Sequence, residues 1–322
     1  MFPAGVPLHS GREMASVGLL DSKVNLRFRC VRVRCSIIGI SDRLFAGSVT
    51  NPPIVLLMKF FPSRFPVLIV TALCALLSVF DARAGDNQEK FTFVVVHGAT
   101  AGGWEWKAAG NCLTKEGHTV YRATLTGLGE RFHLANAEVN LDTHINDVVN
   151  LILFEDLHDV VLSGHSYGGM VITGVMDRIP ERIRHVIYLD AAVPEDGECI
   201  YDIVGGPPPG AVVKDGLVHF GWGNPEGPYP TNTPHPEKTF SQPVSYKNPE
   251  ALSLPVTYVA FVPEDQKIED RAKTDKSWQR ADARGWTIRT FPGHHVAHQE
   301  DPAGVAALMV ESVSDQNRVT SE

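Results

Sequence analysis

From Phe91 onward, short β-branched and apolar runs alternate with segments whose apolar residues recur every three or four positions. The runs Thr92–Val96, Val120–Thr124, Val160–Ser163, His185–Leu189, Val256–Phe261 and Thr287–Phe291 are expected as strands. Helices are expected near Trp104–Glu116, Thr143–Phe154, Gly168–Ile179, Asp270–Arg284 and Pro302–Val313. The second carries Leu141, Ile145, Val148, Val149 and Ile152 at a period of 3.6, and the last opens with Asp301 as N-cap and Pro302 at its first position. Solidly apolar strands separated by helices predict an α/β fold, with a mostly parallel sheet covered by helices on both faces. The chain shows no internal repeat.

One stretch breaks the rhythm. Residues 194–254 are rich in Pro, Gly and aromatics, as in FGWGNPEGPYP. A segment this long inside a compact domain is usually functional. Its aromatic residues, Phe220, Trp222, Tyr229 and Phe240 among them, favour burial. A cap inserted after the strand ending near Asp190 is expected here, with Phe220 and Trp222 facing a substrate pocket.

Composition changes the picture mainly at the N-terminus. The 322 residues carry a net charge of −8, but residues 1–84 hold ten Lys and Arg against four acids. Residues 85–322 therefore carry nineteen bases against thirty-three acids, a net charge of −14. Such a body is repelled by phosphate backbones and anionic lipid, so nucleic acid is not an expected partner. Residues 58–84 read MKFFPSRFPVLIVTALCALLSVFDARA: a basic start, an apolar run Phe65–Phe80, and Ala82-Arg83-Ala84. That is the layout of a signal peptide cut after Ala84, with an apolar run short of the roughly 20 residues that span a bilayer. Met58 is then the expected start, residues 1–57 an upstream leader, and residues 85–322 a secreted or periplasmic domain with no stable membrane insertion. Of five cysteines, only Cys112 and Cys199 lie in that domain, and neither their spacing nor any Cys/His cluster suggests a metal site.

The chemistry gathers at strand ends. Gly164-His165-Ser166-Tyr167-Gly168 falls between a buried strand, DVVLS, and a helix, GMVITGVMDRI. A serine on such a turn stands clear of the sheet, and flanking glycines permit the bend. It needs a base, and the base needs a carboxylate to orient it. The strand TIRTF runs into His294 and His295, and the strand VTYVAF into Glu264 and Asp265. His295 is preferred to His294 as the base. Asp265 is preferred as the acid, with Glu264 and Asp190 as rivals, since Asp190 also ends a strand. Backbone N–H donors for an oxyanion are expected from Tyr167, directly after the nucleophile, and from Ala99 in the glycine-rich loop after the first strand. His97 is read as a structural hydrogen-bonding residue.

HGATAGGWEW, GHSYGG, PEDQKIED and GHHVAHQEDP together resemble the α/β-hydrolase superfamily, in the branch of plant methylesterases, hydroxynitrile lyases and their bacterial esterase relatives. The resemblance runs over about Phe91–Val313. It implies an α/β-hydrolase fold and a Ser166–His295–Asp265 triad, because the branch's acid follows a Glu after a strand and its histidine stands seven residues before a proline. It also maps the two donors onto Ala99 and Tyr167. The lyases of this branch carry a lysine after the histidine and a hydroxyl residue after the His-Gly pair, where this chain has Val296 and Ala99. The implied activity is therefore a secreted serine carboxylesterase for small esters, methyl and aromatic esters among them, with no metal and no organic cofactor. Hydroxynitrile lyase, cofactor-free perhydrolase and a slow-turnover ligand receptor are the alternatives, and a homodimer stays open. Arg131 and His133 are expected to fix a loop.

Overall fold

The computed structural model describes residues 89–319 apart from 208, 224 and 225. The leader 1–57, the signal segment 58–84 and Cys30, Cys35 and Cys74 lie outside the described residues. The chain divides into two units, Met1–Val70 and Thr71–Glu322, and every described residue belongs to the second.

Six strands form one sheet: β1 (Thr92–Val96), β2 (Thr119–Ala123), β3 (Val160–His165), β4 (Ile183–Leu189), β8 (Val256–Val262) and β9 (Thr287–Pro292), in the order β2-β1-β3-β4-β8-β9. Every pairing among them is parallel. Parallel neighbours need crossovers, and helices supply them: α1 (Lys107–Lys115), α2 (Leu141–Phe154) and α3 (Gly168–Arg178) between the early strands, and α7 (Ile268–Thr274) and α8 (Lys276–Ala283) between β8 and β9. A single-turn helix, α9 (Ala297–Glu300), and a long final helix, α10 (Pro302–Val319), follow β9.

Alternation along each strand explains why an inner strand such as β1 is largely apolar. Val94 and Val96 enter one core with Leu141, Ile145 and Val148 of α2 and Met170 of α3. Phe93 and Val95 point the other way, into a core with Trp106, Leu113 of α1 and Met309 of α10. A strand buried on both faces has no polar side to alternate with. α2 starts where Asn140 caps it, its side chain accepting from Thr143 N at 3.0 Å.

Two expected helices differ in detail. The segment expected as one helix over 104–116 starts as a 3₁₀ turn, Gly103–Trp106. The one expected over 270–284 breaks into α7 and α8 at Asp275, whose backbone is extended and whose carboxylate accepts from Ser277 N and Trp278 N. An aspartate that caps the following helix cannot also continue the preceding one.

Between β4 and β8 the chain builds α4 (Ile200–Val204), a small antiparallel sheet of β5 (Val212–Lys214), β6 (Leu217–His219) and β7 (His235–Pro236), and two single-turn helices, α5 (Lys238–Ser241) and α6 (Pro249–Leu252). Phe220, Phe240 and Ile200 from this insertion join the same core as α2 and α3. Arg131 fixes the loop after β2, donating to Thr124 O, Thr126 Oγ1 and Asp147 Oδ1 at 2.8, 2.7 and 3.1 Å.

Candidate active site

Ser166 sits between β3 and α3 with φ at 54°, a left-handed conformation that a non-glycine residue holds only under constraint. Its carbonyl accepts from Gly169 N and Ala192 N at 3.1 and 3.0 Å, which pins the turn from two sides. The glycines on either side are required by close approach. A Cβ on Gly164 would stand 2.8 Å from Gly168 O, and one on Gly168 would stand 2.8 Å from Val96 O.

His295 follows β9 and places Nε2 2.9 Å from Ser166 Oγ. Its Nδ1 lies 2.5 Å from Asp190 Oδ2. Nδ1–H donates to the carboxylate, so Nε2 keeps a bare lone pair for the serine hydroxyl. Serine, histidine and aspartate come from the ends of β3, β9 and β4, all on one edge of the sheet.

The carboxylate that meets His295 is thus that of Asp190, where Asp265 was expected. Asp190 ends β4, next to β3 in the sheet, and its φ of 46° turns the side chain under His295. Its side chain is 3% exposed. Asp265 lies in an exposed turn after β8 and lines a separate surface cavity with Lys267, Asp270 and His294. Pro263 and the turn after it carry that carboxylate outward, away from the serine. Glu264 lies in the same exposed turn.

Ser166, His295 and Asp190 open into a cavity of about 580 Å³. Ala99 and Tyr167 line it beside Ser166. Tyr167 is the N-cap of α3, so its N–H lies at the positive end of that helix. Its hydroxyl donates to His144 Nδ1 at 3.0 Å, while His144 Nε2–H donates to Thr126 O at 2.8 Å. Burial pushes His144 down to about 3, so this imidazole stays a neutral acceptor.

The loop carrying Ala99 is held just as firmly. His97 donates through Nδ1 to Gly98 O and accepts from Leu125 N at Nε2. Thr100 N donates to His235 Nδ1 in β7 at 3.1 Å, and Thr233 N donates to Thr100 O at 2.8 Å.

The rest of the cavity wall is mostly apolar: Ala191, Ile200, Tyr201, Val204, Phe220 and Phe240, with Trp222 at the mouth. Phe220 is buried and stacks on Trp222 at 4.5 Å, and the exposed indole donates to Thr100 Oγ1. Arg271 also reaches the cavity and bonds Asp190 Oδ1 at 2.6 Å. Sequence reasoning did not single out Arg271 or α4, and it named Phe240 as a residue favouring burial rather than as part of the pocket. The apolar run Ile200–Val204 was the one available signal.

Behind His295 lies a buried polar group. His165 Nε2–H donates to His295 O at 2.7 Å, and its Nδ1 has no hydrogen-bond partner. Burial, aided by the charge of His298, holds this imidazole well below its ordinary range, hence neutral. Among the described residues, Glu105, His165 and His298 bring side-chain atoms of the kind that could hold a metal within 4.8 Å of one another. His298 Nε2 lies 3.2 Å from Glu105 Oε1, which also accepts from Gln299 Nε2 at 3.0 Å. Burial alone would raise Glu105, but the His298 contact and the surrounding imidazoles outweigh it and hold the carboxyl at about 2.

A model of the alpha/beta hydrolase family matches residues 93–308. The chain belongs to that family. Among curated relatives, a carbendazim hydrolyzing esterase of Nocardioides sp. (strain SG-4G) is 55% identical over 108 residues, 34% of this chain and 45% of that protein. A pheophorbidase of Raphanus sativus is 31% identical over 116 residues, 35% of this chain and 43% of that one. The chain thus spans less than half the length of these relatives. Among solved structures, the methylesterase MES16 from Arabidopsis has a TM-score of 0.53 at 23% identity, over 70% of this chain and 99% of that one. The pyrethroid hydrolase PytH has a TM-score of 0.57 at 18% identity, over 70% of this chain and 98% of that one. Both share the fold.

A carboxyl depressed in the folded state contributes stability that is present above its unfolded value, 4.5, and lost as pH falls toward 2. Glu105→Gln should therefore destabilise the protein at pH 7 by an amount on the order of 3 kcal/mol. Urea unfolding at pH 7, 5.5 and 4 should show the deficit constant at the upper two values and shrinking at the lowest.

Proposed function

We propose that this protein is a serine carboxylesterase acting on small esters, with Ser166 as nucleophile, His295 as general base and acid, and Asp190 as the orienting carboxylate. The observation that carries the reading is the pair of contacts at His295, 2.9 Å to Ser166 Oγ and 2.5 Å to Asp190 Oδ2.

The geometry supports the following course. His295 Nε2 takes the hydroxyl proton as Ser166 Oγ attacks the ester carbonyl. The carbonyl oxygen gains charge toward the Ala99 and Tyr167 N–H groups. His295 then gives the proton to the departing alcohol, leaving an acyl-serine. Water enters, loses a proton to the same nitrogen and attacks the acyl carbon, which releases the acid and restores Ser166. Asp190 keeps the imidazole in the useful tautomer and offsets its charge while it is protonated.

The apolar wall around Ile200, Phe220 and Phe240 suits a flat or aromatic group. Relatives named as methylesterases and as a carbendazim hydrolyzing esterase support the same class. Methyl esters of aromatic acids are therefore the proposed substrates.

Ser166→Ala should abolish both p-nitrophenyl acetate turnover and labelling by a fluorophosphonate, and label retained on the variant would remove Ser166 as the nucleophile. Asp190→Asn should cut kcat by about 10²–10⁴-fold, whereas Asp265→Asn should leave it within about threefold. The opposite ranking in steady-state kinetics would return the acid to Asp265.

The same proposal includes export. The basic start, apolar run and Ala82-Arg83-Ala84 of residues 58–84 support a cleaved signal peptide. Mass spectrometry of the native protein should then find its N-terminus at Gly85.

A further inference from the structure

We propose that Arg271 is a positioning residue for this reaction: by clamping the far oxygen of Asp190, it aims the carboxylate at His295 and sets the pH at which His295 becomes an effective base. The inference rests on the Ser166–His295–Asp190 reading above and assigns it a fourth member.

The two oxygens of Asp190 have separate duties. Oδ2 meets His295 Nδ1, and Oδ1 receives Arg271 Nη2 at 2.6 Å and Phe261 N at 3.3 Å. Held on both oxygens, the carboxylate cannot rotate about its last bond. Arg271 is held in turn. Its Nε and Nη2 lie 3.0 and 2.9 Å from Asp275 Oδ2, an oxygen that also accepts from Tyr258 OH at 2.7 Å. Burial, followed by the charges of Asp275 and Asp190, keeps the Tyr258 phenol protonated, so it remains a donor. A planar guanidinium can serve two carboxylates at once, which a lysine ammonium on a flexible stem does less rigidly.

This is more than a surface ion pair, because Arg271 shares its carboxylate with the imidazole. The side chains of Asp190, Asp275 and Arg271 are 3%, 11% and 25% exposed. In such a site a cation on one oxygen withdraws charge from the other, so Arg271 weakens the attraction that Asp190 exerts on a protonated imidazole. Other groups facing His295 are Ser166 and His165 from the end of β3, with His298 and Glu105 behind His165. Lys276, at the start of α8, faces the cavity. Among the described cations, Arg271 is the one bonded to the triad carboxylate.

The test reads the pH dependence of fluorophosphonate labelling and of p-nitrophenyl acetate kcat/KM between pH 5 and 9. With Arg271→Gln the acid limb should move up by about one pH unit, and kcat should fall ~10-fold or more while KM stays within about threefold. Arg271→Lys should return the limb to within a few tenths of a unit of wild type. A folded Gln variant whose limb has not moved overturns the inference. Should that variant fail to fold, Asp275→Asn carries the test: with the competing carboxylate neutralised, the limb should move to lower pH, and an unmoved limb again overturns the inference. A wild-type chain that takes no label overturns the triad reading and this inference with it. A labelled wild type with unmoved limbs overturns this inference alone.

Discussion

The buried carboxylate of Asp190 organises the catalytic edge of the sheet. An unpaired anion at 3% exposure would cost several kcal/mol, so the fold must bring donors to it. It brings three, from three places: the imidazole after β9, the guanidinium of α7 and the Phe261 amide in β8. Removing one partner of such a pair typically costs about 3–5 kcal/mol, because the other charge is left stranded. The requirement that keeps the sheet edge together therefore also delivers His295 to Ser166. At this edge, stability and catalytic geometry depend on the same contacts.

Much of this was legible in the chain. The βα alternation located all six sheet strands, because solid apolar runs such as Val160–Leu162 belong only to a sheet covered on both faces. The meeting of Ser166 and His295 could be anticipated, because the Ser166 turn needs glycines on both sides and His295 closely follows an edge strand. The acid was harder. Asp190 and Asp265 both follow strands, β4 and β8, that are neighbours in the sheet, so order along the chain does not separate them. What separates them is conformation: a left-handed φ beneath the serine turn for Asp190, a proline-led turn into solvent for Asp265. Neither is encoded by residue type alone. The clue lay in Ala191-Ala192, small residues that let the chain after β4 pass against the Ser166 turn, where Ala192 N reaches the Ser166 carbonyl.

Arg271 and Glu105 were illegible for a related reason. Each looks like a solvated charge in its own segment, the one on a polar helix, the other between two tryptophans. Their roles depend on what the sheet places opposite them: Asp190 and Asp275 for the arginine, His298 and Gln299 for the glutamate. Local periodicity carries no information about partners 81 residues away, as Asp190 is from Arg271, or 194 away, as Gln299 is from Glu105.

The insertion between β4 and β8 is part of the proposed catalytic scaffold as well as a wall. Thr100 holds a φ of 65°, a conformation that costs on the order of 1–3 kcal/mol in a non-glycine residue and persists only where its surroundings enforce it. The insertion supplies that enforcement: the neutral His235 accepts from Thr100 N, and Thr233 N donates to Thr100 O. These two bonds sit one residue beyond Ala99, whose N–H is the second proposed oxyanion donor. A donor loop held this way needs no reorganisation when charge develops on the substrate, which is the condition under which such donors are most effective. Changes in the insertion should then affect the rate as well as the substrate preference, because the segment that lines the pocket also holds the backbone that faces the oxyanion.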